Sequence, residues 1–128
     1  MKKSDIHPNS PLALAFKQAN EQRKKSSAEH PVGCVICFDY MSYAASNFSP
    51  SQDFKISAEH AAMAAMHSQT GKVSVNSAVV VGYDSHDQFR ECVNNISSFA
   101  GEEAHVYFFN EDQELLNQFV INDQMHLV

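Results

Sequence analysis

Three cysteines, a serine-alanine-glutamate tripeptide and a few scattered histidines are the side chains in this sequence that could do chemistry. Thiolates, imidazoles and carboxylates are the usual zinc ligands, and a glutamate beside a bound metal can move protons, so the spacing of these groups decides what is within reach. Ser57-Ala58-Glu59 opens an alanine-rich segment, and Cys92 lies further on in an amphipathic stretch. His60, His67 and His86 make no recognised ligand spacing with Cys92, which argues against a metal site rebuilt from histidine. No base is set beside Ser57 by a recognised motif, whereas a serine at a helix start has a structural use in capping free amides. Glu59 has two readings: a proton shuttle, or a carboxylate complementing the positive end of a helix dipole. Cys34 and Cys37 share a strand that the pattern sets apart from Cys92, and they read as core and edge residues.

The elements that must position these groups follow from periodicity. Ser10-Pro11 is a helix start, with Leu12, Ala15, Phe16 and Ala19 on one stripe and Arg23, Lys24 and Lys25 at the negative end of the dipole. Val32 to Phe38 is a nearly continuous apolar run, as in a strand covered on both faces, and Tyr43 to Ser46 is a weaker strand that could close a hairpin with it. Ser57 to Gln69 is the clearest helix, stopped by Gly71. Ala78 to Tyr83 is a buried strand, Phe89 to Phe99 a helix with Cys92, Val93, Ile96 and Phe99 on one face and Gly101 at its end, and His105 to Phe109 the next strand. Leu115 to Leu127 carries apolar pairs that suit a short strand and an ordered tail. The order αββαβαβ predicts an α/β fold, three layers of α-β-α around a mixed sheet of about five strands.

Laid along these elements, several short matches resemble the small cytidine deaminases that act on nucleosides. Pro31-Val32-Gly33 is similar to that family's Pro-Val-Gly at the first strand, Asn47-Phe48-Ser49 to its Asn-x-Glu for the ribose, and Ser57-Ala58-Glu59 to its Cys-Ala-Glu at the start of the second helix. Ala78 to Gly82 and His105 to Phe109 resemble later strands. The segment Gln88-Phe89-Arg90-Glu91-Cys92 falls where the family has Pro-Cys-Gly-x-Cys.

The resemblance implies a zinc site with ligand positions Ser57, Phe89 and Cys92, a proton-shuttling Glu59, and a nucleoside held by Asn47 and the backbone near Ala58. Only Cys92 of the three ligand positions is a thiol, so these are degenerate metal-ligand positions, and no metal or other cofactor is expected. Arg90 and Phe89 stand where the family has small groups, which predicts a partly filled pocket. The expected protein is therefore a non-catalytic member of the fold, a pseudoenzyme that binds a nucleoside-like molecule or a protein partner, in a homo-oligomer (dimer or tetramer) as the family suggests. The alternative is a working zinc-dependent hydrolase that converts cytidine to uridine through a rebuilt site with Glu59 and Cys92. A third possibility is a regulatory subunit of an active paralogue.

Composition sets the outer limits. With 128 residues, 44% of them hydrophobic and 19% charged, the chain suits a single domain over residues 1–128 that buries its own core. The net charge of −6, with no basic block beyond Arg23-Lys24-Lys25, argues against nucleic acid as a partner. An odd number of cysteines at no secreted-domain spacing and the absence of an apolar signal core after Met1-Lys2-Lys3 point to the reducing cytoplasm. No apolar run approaches the roughly 20 residues of a membrane span.

Overall fold

The computed structural model describes residues 6–122. The element order is α1 (Pro11–Lys25), β1 (Gly33–Phe38), β2 (Met41–Ser46), β3 (Phe48–Ser51), β4 (Phe54–Ile56), α2 (Ala58–Thr70), β5 (Val75–Val81), α3 (His86–Ser97), β6 (Ala100–Phe109) and β7 (Leu115–Asn122). Five strands form a mixed sheet in the order β2-β1-β5-β6-β7. β5 and β6 run parallel and the other neighbours antiparallel, and α3 supplies the crossover that the parallel pair needs. No helix among the described residues is long and apolar enough to cross a membrane.

Alternation along the strands divides the core in two. Val35, Val79, Val81 and Phe109 pack with Ala13, Phe16 and Ala19 of α1 on one face. Cys34, Ile36, Ala78, Val80, Val106 and Phe108 point the other way, against Ala58, Ala62, Met63 and Met66 of α2 and Phe89, Cys92, Val93 and Ile96 of α3. The α-β-α layering expected from the sequence is thus present. α1 comes so close to β1 that a Cβ on Gly33 would sit 1.9 Å from the Ala19 carbonyl oxygen, so glycine is required there.

Several boundaries differ from expectation for local reasons. The β1-β2 turn lacks Asn-Gly, yet Asp39 takes the left-handed conformation (φ 54°), which aspartate tolerates better than most residues. α3 begins at His86, three residues before Phe89, because Ser85 and Gln88 form a complete capping box; it ends at Ser97. Gly101 lies inside β6 and does not stop α3. β5 and β6 both start earlier than predicted, at Val75 and Ala100, where the backbone of Val75 bonds that of Phe99. The small hairpin β3-β4 was not anticipated: its runs are short, and Pro50 argues against a strand anywhere but at an edge. The apolar tail predicted to Leu127 is a strand as far as Asn122, and Leu127 itself lies outside the described residues.

Candidate functional site

The first turn of α2, the end of β4 and one stripe of α3 surround a cavity of about 340 Å³. β4 supplies Lys55 and Ile56, α2 and its cap supply Ser57, Glu59 and His60, and Tyr83 enters from just beyond β5. α3 supplies Gln88, Glu91, Cys92 and Asn95, the i, i+3, i+4, i+7 spacing of one helical face. Asn47 completes the lining. Neither Phe89 nor Arg90 is among the residues that line this cavity. The Phe89 ring is turned into the core, 4.5 Å from the ring of Phe108, because three further residues of capped helix set its direction in phase with Val93 and Ile96.

Among the described residues Glu59 is the one buried charged side chain, with 1% of its surface exposed. The reading of it as a complement to the helix dipole is therefore incomplete, since burial of a carboxylate demands partners. It has them: Tyr83 Oη donates to Oε1 at 2.8 Å and Asn95 Nδ2 to Oε2 at 2.9 Å. These partners were not identified from the sequence. The stripe formed by Gln88, Glu91, Cys92 and Asn95 was the available signal for Asn95; Tyr83 follows a strand end and gave none.

Ser57 caps α2, accepting the His60 amide at 3.1 Å, and its Oγ also lies 2.8 Å from His60 Nδ1. A base thus does stand beside Ser57, contrary to the motif reading, but the same hydroxyl is committed to the cap. Asn47 is held on three sides: its Oδ1 accepts from the Val32 amide (2.9 Å) and from Ser26 Oγ (2.6 Å), while Nδ2 donates to the His30 carbonyl (2.8 Å). The amide ties the end of β2 to the loop before β1, with one N–H left over. Ala58 is fully buried as the first residue of α2. His67 lies in the last turn of α2, far from its start, and His86 begins α3 with its ring 6.4 Å from that of Phe119. Among the described residues no three His, Cys, Asp or Glu side chains are grouped to hold a metal ion.

Cys34 needs correction. It belongs to the same core cluster as Cys92, and the two thiols sense each other and Glu59. Burial pushes both well above the ordinary thiol value of 9.0, and the Glu59 charge raises them further. Tyr83 is raised for the same two reasons. Groups whose folded pKa exceeds the unfolded one leave stability intact below the unfolded value and withdraw it as pH rises beyond. The melting temperature should therefore hold to about pH 8.5 and fall steadily above it. Cys92→Val should flatten that fall in melting curves taken between pH 7 and 11; an unchanged slope would show that Cys92 is not the group at work. Cys37, on the opposite face of the sheet, is raised less: burial lifts it and a hydrogen bond from Ser77 offsets part of the effect.

No family model matches the chain, and no curated protein matches it in sequence. Solved structures do. A cytidine deaminase from Burkholderia pseudomallei superposes with a TM-score of 0.66 at 15% identity, covering 85% of this chain and 90% of that one. The cytidine deaminase of Mycobacterium tuberculosis gives 0.62 at 15% identity over 77% and 85%. A dCMP deaminase from cyanophage S-TIM5 gives 0.55 at 16% identity over 86% of both. Identities this low speak for architecture alone, and that architecture, three helices on a five-stranded mixed sheet, is the cytidine deaminase-like fold.

Proposed function

We propose that this chain binds a small nucleoside-like ligand in the cavity beside Glu59 and does not deaminate it. The observation that carries the reading is the set of donors at the start of α2 and along α3. Zinc hydrolysis needs three protein ligands and an open coordination position for water. Of the positions that resemble ligands, Phe89 has no donor atom and packs on Phe108. Ser57 offers a neutral hydroxyl already engaged by His60. Cys92 is a thiol whose ionisation is opposed by burial and by Glu59, and a metal takes the thiolate. These residues do not fit zinc. Glu59 is correspondingly a fixed acceptor: both oxygens are occupied by Tyr83 and Asn95, which suits holding a ligand better than shuttling a proton.

The cavity favours a small molecule over a protein partner because it is concave, of the size of whole small-molecule sites, and lined by convergent polar groups. A homo-oligomer and a cytoplasmic location belong to the same reading. The exposed Phe48 and Phe54 beside α2 offer an apolar surface for assembly, and the three cysteines are unpaired, as a reducing compartment requires.

Elemental analysis of protein purified without chelator tests the central claim. The expected result is zinc far below one per chain and no loss of cytidine absorbance on prolonged incubation. One zinc per chain together with turnover would establish the active deaminase instead.

A further inference from the structure

Ser57 and His60 meet in a geometry that capping alone does not require. The cap is made by Ser57 Oγ accepting the His60 amide at 3.1 Å, which uses one lone pair of the oxygen. The ring of His60 adds a second contact, with Nδ1 2.8 Å from the same oxygen. When the ring is neutral with its hydrogen on Nε2, the hydroxyl donates to Nδ1 and the other lone pair of Oγ stays available. That is the pairing of a nucleophile with its base. Both side chains line the cavity beside Glu59. The amides of Ala58 and Glu59, in the first turn of α2, have no partner within the helix, so the positive end of its dipole stands beside Ser57. Lys55 lines the cavity as well. Negative charge developing on an oxygen next to Ser57 is favoured by both.

On its other side His60 borders an apolar groove of about 460 Å³, lined by Phe48, Phe54, Ile56, Ala61 and Ala64. Lys55, Ile56 and His60 belong to both concavities, so Ser57 lies where a polar space and an apolar one adjoin. An ester is divided in the same way, into an apolar acyl chain, a carbonyl and a polar alcohol. We infer that Ser57 and His60 form a hydrolytic site for small esters, with the acyl chain in the groove of Phe48 and Phe54 and the alcohol in the cavity beside Glu59. Ser57 Oγ bonds to the carbonyl carbon while His60 Nδ1 takes the hydroxyl proton. The bond to the alcohol then breaks, and the alcohol leaves with that proton. Water, deprotonated by the same nitrogen, attacks the acyl-serine, and the carboxylic acid departs as Oγ recovers its hydrogen. Glu59 takes no part and keeps its bonds to Tyr83 and Asn95.

Release of p-nitrophenolate from its acetate, butyrate and hexanoate esters tests this, together with peptide mass analysis of protein treated with phenylmethylsulfonyl fluoride. Ser57→Asn keeps a good cap and removes the nucleophile, so it should melt like the wild type and hydrolyse no ester above the rate in buffer. His60→Gln changes an exposed side chain and leaves the cap in place, which makes it the check that does not depend on Ser57→Asn folding. It should lower kcat about 100-fold and remove the rise of rate with pH that a histidine base gives. For the wild type, kcat/KM should rise about 10-fold from acetate to butyrate as two methylenes enter the groove, and Phe54→Ala should flatten the rise. The sulfonyl group should be found on Ser57. Wild-type rates no greater than those of Ser57→Asn or His60→Gln, or modification of Lys55 or Cys92 with Ser57 untouched, overturn the inference. Rates that need Ser57 but ignore chain length overturn the placement of the acyl chain. Calorimetry with cytidine reads the nucleoside proposal separately, so neither failure counts against it.

Discussion

Stripping Glu59 of its two neutral donors, with Tyr83→Phe and Asn95→Leu together, should cost about 3–5 kcal/mol of stability, the range seen when a buried charge loses its partners. Glu59 is almost entirely buried, so water cannot replace the bonds of 2.8 and 2.9 Å that Tyr83 and Asn95 make. The informative step is the next one. Adding Glu59→Leu to the double variant removes the stranded carboxylate, and replacing all partners of a polar cluster by apolar groups of similar shape is often nearly neutral. The triple variant should therefore be more stable than the double one, recovering about half of the loss in urea unfolding. A triple variant less stable than the double would mean that Glu59 contributes through something other than these bonds. Glu59→Gln in the native background should be milder than either, since the tyrosine hydroxyl can turn from donor to acceptor for the new amide.

The second large effect concerns Phe108. Its ring is fully buried and lies between Phe89, Phe119 and Tyr83, at centroid distances of 4.5, 5.8 and 6.4 Å. Phe108→Ala should cost about 3–5 kcal/mol, as deletions of buried aromatic rings do. Its consequence reaches the cavity, because Tyr83 and Phe89 both rest on that ring. Ligand affinity should fall along with stability, whereas Phe119→Ala, at the half-buried edge of the same cluster, should lower stability less and spare binding. Thermal melts and calorimetry on both variants would separate the two roles. A Phe108→Ala variant with native affinity would show that the cavity keeps its shape without the support.

Much of the fold was readable from residue patterns because each element carried a signal of its own. The buried strands Val32 to Phe38 and Ala78 to Val81 are β-branched runs, and α2 is an alanine-rich segment between a serine cap and Gly71, which takes a left-handed φ of 77°. What escaped the pattern were features defined by side chains meeting across the chain. Ser85 and Gln88 form their capping box through reciprocal bonds, and only a search for that motif before the apolar stripe would have moved the start of α3. Cys34 was set apart from Cys92 by sequence distance, although strand alternation sends it to the same side of the sheet as α3. For the site, Glu59 and Cys92 were reached through the resemblance, and both line the cavity. The donors Tyr83 and Asn95 were not, since neither belongs to a motif and their role exists only through a buried carboxylate two elements away.

The early start of α3 bears on whether position 89 could ever face the cavity. With Ser85 holding the first turn and Gln88 folded back on the amides of Asp84 and Ser85, position 89 is wound into a rigid cylinder that aims it at Phe108. A cysteine substituted there would look into greasy surroundings and away from Glu59. Turning it toward the cavity would require uncoiling that turn as well as exchanging the residue, two steps of which the first alone weakens the protein by about 1 kcal/mol. The cap acts as a pawl that keeps position 89 from swinging back.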